Sequence, residues 1–221
     1  MTIELICLDM AGTTVNDQGL VLTAFRRTID ELGVTGKDAT TAETYVIETM
    51  GQSKIEVFSE LFDERAELAN DAFERNFVEA ATQVGVSEVP GARATIEDLK
   101  SRGVGVAFTT GFSPGTREVL IDILGWGDLV SIRVSPADAG RGRPAPDMLL
   151  VCALRARVGA MANIAVVGDT ASDMQAGRRA GASECIGVLT GTDDAARLFN
   201  NGARAVVDSI ADVLRLDTFV A

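Results

Sequence analysis

The 221-residue chain contains no histidine, so imidazole bases, Ser-His-Asp and Cys-His sites and histidine-ligated zinc are all excluded. Any acid, base or nucleophile must be a carboxylate, a lysine, a thiol or a hydroxyl. Four polar clusters each follow a short apolar run: Asp9-Met10-Ala11-Gly12-Thr13-Thr14, Thr109-Thr110-Gly111, Gly142-Arg143-Pro144, and Gly168-Asp169-Thr170-Ala171-Ser172-Asp173. Brought together, Asp9, Asp169 and Asp173 would raise one another's pKa unless a cation neutralised them. A hard divalent ion with oxygen ligands, Mg²⁺ above all, meets that need. The Thr110 hydroxyl, the turn amides around Gly12, Thr13 and Gly111, and the Arg143 guanidinium would form a cradle for phosphate. A carboxylate aimed at that phosphorus is a nucleophile.

Each element has a plainer explanation when taken alone. A strand-ending aspartate is commonly a turn residue, Asp173 can complete a capping box begun by Thr170, and Arg143 can anchor a loop. Four such ends on four successive strands favour one shared site.

The runs that carry these clusters are Ile3 to Leu8, Val104 to Phe108, Leu129 to Val134 and Ile164 to Val167, followed by Cys185 to Leu189. Near-continuous apolar strands separated by helical patterns indicate a parallel sheet covered on both faces, a doubly wound α/β core. Helices are predicted over Ala92 to Arg102, Pro146 to Val158 and Ser172 to Ala180, ending at Gly103, Gly159 and Gly181.

About ninety-five residues separate the first strand from the second, far beyond a usual crossover. That interval reads as helices only: Val21 to Leu32, Ala42 to Met50, Lys54 to Phe62, and Glu64 to Val84. Capping boxes are predicted at Thr40 with Glu43 and at Ser53 with Glu56. The expected organisation is an α/β core over residues 1–14 and 87–221, with an all-helical cap domain over 15–86.

Composition narrows the partners. Twenty basic against thirty-two acidic side chains give a net charge of -12, which disfavours nucleic acid and anionic lipid. No apolar run approaches the ~20 residues of a membrane span. Cys7, Cys152 and Cys185 are odd in number and far apart, so they are expected as buried thiols in a reducing compartment, the cytoplasm.

With these motifs in view, the chain resembles the haloacid dehalogenase-like hydrolases along its whole length. The carriers are Asp9 in DMAGTT, Thr110 in AFTTG, Arg143 in GRPAPDM, and Asp169 with Asp173 in VGDTASDM. That resemblance implies a phosphorylated Asp9, anchoring by Thr110 and Arg143, and Mg²⁺ bound by Asp9, the Ala11 carbonyl, Asp169 and Asp173. It also implies a small anionic phosphate or phosphonate substrate and a possible homodimer formed through the cap. Most phosphatases of the family carry an acid two residues after the nucleophile, where this chain has Ala11. The chain is similar in particular to the phosphonatase-like subgroup, which pairs that alanine with a cap lysine in M-G-x-x-K, here Met50 to Lys54. In the subgroup that lysine forms a Schiff base with an aldehyde, so that carbon leaves phosphorus as an enamine.

A neutral amine is required for that step. A helix N-terminus disfavours an ammonium by about 1 kcal/mol, whereas neutrality needs about three pKa units, so burial under a closed cap must supply most of the shift, with Glu56 opposing it. The subgroup's histidine three residues beyond the lysine is Val57 here. A phosphomonoester phosphatase in which Lys54 contacts an anionic substrate therefore stands as an alternative. So does a phosphate-receiving module without turnover, although such a module has little use for a water-excluding cap.

Overall fold

The computed structural model describes residues 2–219. In chain order the elements are β1 (Leu5–Asp9), β2 (Val15–Asn16), α1 (Leu20–Glu31), α2 (Gly36–Glu48), α3 (Lys54–Phe62), α4 (Ala66–Val84) and β3 (Ser87–Glu88). There follow α5 (Ala92–Ser101), β4 (Gly105–Thr109), α6 (Pro114–Ile123), β5 (Ile132–Val134), α7 (Pro136–Ala139) and α8 (Asp147–Ala156). The chain continues through β6 (Ile164–Gly168), α9 (Ala171–Ala180), β7 (Glu184–Val188), α10 (Ala195–Asn200) and β8 (Ala205–Val207).

Six strands form a parallel sheet in the order β5-β4-β1-β6-β7-β8. All five residues of β1 and of β6 are buried, as the apolar runs that lead up to Asp9 and Gly168 require of central strands. Alternate residues of β1 serve opposite faces: Ile6 and Leu8 join one apolar cluster, Leu5 and Cys7 another. Trp126, 1% exposed, stacks on Phe108 with ring centroids 5.5 Å apart.

Register decides what meets at the carboxyl edge. Asp9 lies opposite Thr109 of β4, and Leu8 lies opposite Val167 of β6. Thr110 and Asp169 therefore leave their strands at the level of Asp9. From β1 the chain passes to β4 and β5 on one side and then crosses back to β6 on the other, so Asp9 sits at a topological switch point, where open α/β sheets form their ligand crevice.

The interval between β1 and β4 is helical apart from a two-stranded antiparallel ribbon of β2 and β3 at its neck. Helix α4 packs along α1 and α3. Phe25, Phe58 and Phe73 form a continuous aromatic column, and Phe112, which follows β4, joins it with its ring 4.5 Å from Phe77 and 6.3 Å from Phe73. One core-side ring is thus built into the apolar centre of the helical insert.

Several sequence expectations are corrected here. Helix α2 starts at Gly36, so Thr40 lies inside it, donating to the Gly36 carbonyl, and heads no capping box. Ser53 precedes α3, yet its hydroxyl makes no cap bond and Glu56 turns to another partner. Helix α8 stops at Arg157, which itself takes the left-handed conformation (φ 57°), two residues before the expected Gly159. Strand β8 and helices α6, α7 and α10 lie outside the predicted elements. The three cysteines are free and buried, as expected.

Candidate active site

Beyond the carboxyl ends of β1, β4 and β6 lies a cavity of about 280 Å³ lined by Asp9, Lys54, Thr110, Arg143 and Asp169, with Asp17 and Phe112 on its wall. Arg143, 3% exposed, pairs through one guanidinium nitrogen with Asp9 Oδ1 at 2.7 Å, and the same nitrogen donates to Asp173 Oδ1. Its Nε is a buried donor with no acceptor among the described residues. The Thr110 hydroxyl accepts from the Phe112 amide at 3.3 Å.

Among the described residues, Asp169 has no cationic partner in contact. Its oxygens accept from the Thr13 hydroxyl at 3.1 Å and the Thr192 amide at 2.9 Å. Its carboxylate is packed so closely on Gly12 that a Cβ there would stand 2.5 Å from Oδ2, and Gly12 is already at φ 85°. Glycine meets both demands at once. Burial pushes the Asp169 pKa well up, with repulsion from Asp9 and Asp173 adding to the effect. Burial also raises Asp9, to about 6, against the pull of Arg143.

Asp173 departs from its expected place on the metal side. Its Oδ2 accepts from the Thr170 hydroxyl at 2.5 Å and the Thr170 amide at 3.2 Å, completing a capping box on α9, while Oδ1 meets Arg143. Helix capping and the holding of Arg143 are one arrangement. Because Arg143 stands between Asp9 and Asp173, no three acidic or thiol side chains cluster as a ready-made metal cage among the described residues. The donor set that remains is Asp9, Asp169 and Ala11, which also lines the cavity. Two carboxylates and a carbonyl suit Mg²⁺, which keeps several waters and is seldom fully caged by protein. The excess of buried carboxylate over guanidinium charge gives a cation something to neutralise, so these residues fit the ion.

Lys54 opens α3 and is buried, 9% exposed, with Nζ 6.0 Å from the centroid of Phe112. Burial lowers its pKa to about 8; Arg143 assists, while Glu74, Asp9 and Asp17 oppose. Glu56, expected to oppose this shift, instead accepts from the Gly142 amide at 3.2 Å.

Contacts between the insert and the sheet edge hold Lys54 over the cavity. Its amide donates to the Gly111 carbonyl at 3.3 Å. Glu74 of α4 accepts from the Ser113 amide and hydroxyl at 3.1 and 2.8 Å, and Ser172 donates to the Met50 carbonyl at 3.3 Å. A Cβ on Gly111 would collide with the Gln52 carbonyl oxygen.

All the sequence-derived candidates, Asp9, Ala11, Gly12, Thr13, Lys54, Thr110, Gly111, Arg143, Asp169 and Asp173, meet in this region. Sequence reasoning missed Asp17 and the segment Thr190 to Asp193. In that segment the Thr190 hydroxyl donates to the Gly12 carbonyl at 2.6 Å, and Asp193 accepts from the Ala171 amide at 2.6 Å. Its signal was present, because it too follows an apolar run, Cys185 to Leu189.

The sequence pattern of the haloacid dehalogenase-like hydrolases matches residues 3–181. A phosphonoacetaldehyde hydrolase of Bacillus cereus is 30% identical over 216 residues, an alignment covering 88% of this chain and 78% of that protein. The crystal structure of a phosphonoacetaldehyde hydrolase-like protein from Oleispira antarctica is 26% identical, with a TM-score of 0.83 over 96% of this chain and 90% of that one. A hydrolase from Pseudomonas syringae, 22% identical, shares the fold with a TM-score of 0.84 over 97% of each chain.

Proposed function

The chain belongs to the haloacid dehalogenase-like hydrolases, and on that premise we propose that it releases phosphate from a small phosphonate aldehyde, phosphonoacetaldehyde or a close analogue, through a phospho-aspartyl intermediate on Asp9. The observation that carries this reading is a buried lysine, lowered to about 8, lining the same cavity as the candidate nucleophile.

Arg143 and Thr110 anchor the phosphonate, Arg143 with a donor to spare at Nε. The Lys54 amine condenses with the aldehyde to an imine. Asp9 then attacks phosphorus as the C–P bond breaks, and the bonding electrons pass into the protonated imine to form an enamine. Water hydrolyses the aspartyl phosphate; the enamine takes a proton on carbon, and hydrolysis frees Lys54 and the aldehyde product. Carbon leaving as an enamine needs no acid on the residue two beyond the nucleophile, which accords with Ala11. Asp9, Asp169 and the Ala11 carbonyl would hold Mg²⁺, which when bound supplies positive charge against the phosphoryl oxygens. Residues 15–86 serve as a cap that excludes water, and Asp173 fixes Arg143.

One observation favours a second reading, hydrolysis of small phosphomonoesters: Val57, buried and apolar, stands where the subgroup has a histidine. Phosphate release with Mg²⁺ present, measured for phosphonoacetaldehyde beside a panel of small phosphomonoesters, separates the two. The proposal expects kcat/KM for the phosphonate to exceed that for every ester. Brisk ester hydrolysis with no phosphonate turnover would overturn it.

A further inference from the structure

Imine chemistry on Lys54 raises a proton problem that this chain must solve without imidazole. An ammonium must lose a proton before its nitrogen attacks the carbonyl, and the carbinolamine oxygen must gain one before it leaves as water. Among the described residues, the ionisable side chains lining the cavity are Asp9, Asp17, Lys54, Arg143 and Asp169. In the reading above Asp9 is engaged with phosphorus; Asp169 is held through both oxygens by the Thr13 hydroxyl and the Thr192 amide, and Arg143 stays charged between two carboxylates. Glu74 also acts on the charge of the Lys54 amine, but the Ser113 amide and hydroxyl hold its two oxygens, and it lines a separate cavity of about 240 Å³.

We infer that Asp17 is the proton carrier for Lys54, a catalytic carboxylate doing the work a histidine would otherwise do; this rests on the imine reading above. Asp17 sits in the turn between β2 and α1, held by two local bonds. Its carbonyl accepts from the Leu20 amide at 2.9 Å and its Oδ2 from the Val21 amide at 3.1 Å. Gln18 beside it takes the left-handed conformation at φ 53° and donates to Asn16 Oδ1 at 3.1 Å, which fixes the turn. Oδ1 of Asp17 has no hydrogen-bond partner among the described residues, and the side chain is half-buried on the cavity wall. Asp17 also contributes to the field at the Lys54 amine. In balanced form, Asp17 carboxylate takes a proton from the Lys54 ammonium, and the neutral nitrogen adds to the carbonyl carbon to give the carbinolamine. Asp17 then returns its proton to the hydroxyl, which leaves as water, and nitrogen's lone pair forms the protonated imine. Aldehyde and ammonium give iminium and water, and Asp17 is regenerated.

The test measures imine formation apart from phosphate release. In Asp9→Asn, phosphoryl transfer is blocked, so cyanoborohydride with phosphonoacetaldehyde should reduce the imine onto Lys54. Adding Asp17→Asn keeps an oxygen for the Val21 amide but removes the proton carrier. The rate of Lys54 labelling in the double variant should fall about 10²-fold, in the range of general acid-base effects, and added formate should restore part of it. Should Asp17→Asn fail the circular-dichroism check for folding, Asp17→Ser retains a capping oxygen and carries the same expectation. Equal labelling rates with and without Asp17 would overturn this inference and leave the imine standing. Absence of label in Asp9→Asn itself would overturn both.

Discussion

If Lys54 works as an amine, imine formation should follow its titration, and the burial of that residue sets where the curve bends. The ordinary lysine value is 10.5 and that of Lys54 is about 8, lowered first by burial and then by Arg143. At ~1.36 kcal/mol per pKa unit the difference is about 3 kcal/mol, and the neutral fraction at pH 7 rises from roughly 3 in 10⁴ to about 1 in 10. The same site with an unshifted lysine would therefore react about 300 times more slowly at neutral pH. The assay is cyanoborohydride trapping of acetaldehyde on the wild-type chain from pH 6 to 10, with the labelled peptide read by mass spectrometry. Labelling should rise about tenfold between pH 6 and 7, bend near 8, and stay flat above 9. Lys54→Arg should not label at any pH in that range. Glu74→Gln removes a carboxylate that holds the ammonium up, so its bend should move to lower pH. A tenfold rise per pH unit continuing to pH 10 would refute the reasoning, because it would mean that the closed insert does not desolvate the amine.

Three further outcomes follow from the same geometry. Arg143→Met strands the buried Asp9 and Asp173 carboxylates without their guanidinium, which should cost about 3–5 kcal/mol in urea unfolding at pH 7. Asp9 is already pushed up to about 6 and rises further without Arg143, so at pH 5 it is protonated and the loss should shrink. Gly111→Ala drives a methyl group into the Gln52 carbonyl and displaces the loop that carries Lys54, so kcat/KM should fall by about 10²-fold while the urea midpoint moves little. Mg²⁺ at 100 times its Kd should stabilise the wild type by about 2.7 kcal/mol, and Asp169→Asn should abolish that gain in thermal denaturation.

The sheet was legible because its central strands are apolar up to their last residue: β1 and β6, buried along their whole lengths, admit few other readings. Helix α3 was placed to the residue, since Ser53 before Lys54 and the Phe62-Asp63 break bound a clear amphipathic run. The ribbon of β2 and β3 was not legible, since two residues per strand carry no periodicity. Local capping signals misled where tertiary partners outcompeted them: Glu56 serves the Gly142 amide, 86 residues away in the chain, and not its own helix. At the site, residue types and order foretold that Asp9, Thr110, Arg143 and Asp169 meet, because the carboxyl edge of a parallel sheet gathers its loops. Sequence left open how charge is shared there. That Asp173 belongs to Arg143 and Thr170 depends on side-chain reach, and so does the approach of Asp17 from the neck of the insert to the cavity wall.

The central claim is that Asp9 takes the phosphoryl group. Wild-type chain mixed with Mg²⁺ and excess phosphonoacetaldehyde, quenched in acid within one turnover and digested, should yield a peptide around Asp9 heavier by one phosphoryl group; Asp9→Asn, folded by circular dichroism, should show neither that peptide nor released phosphate. Undiminished phosphate release from Asp9→Asn would contradict the account outright.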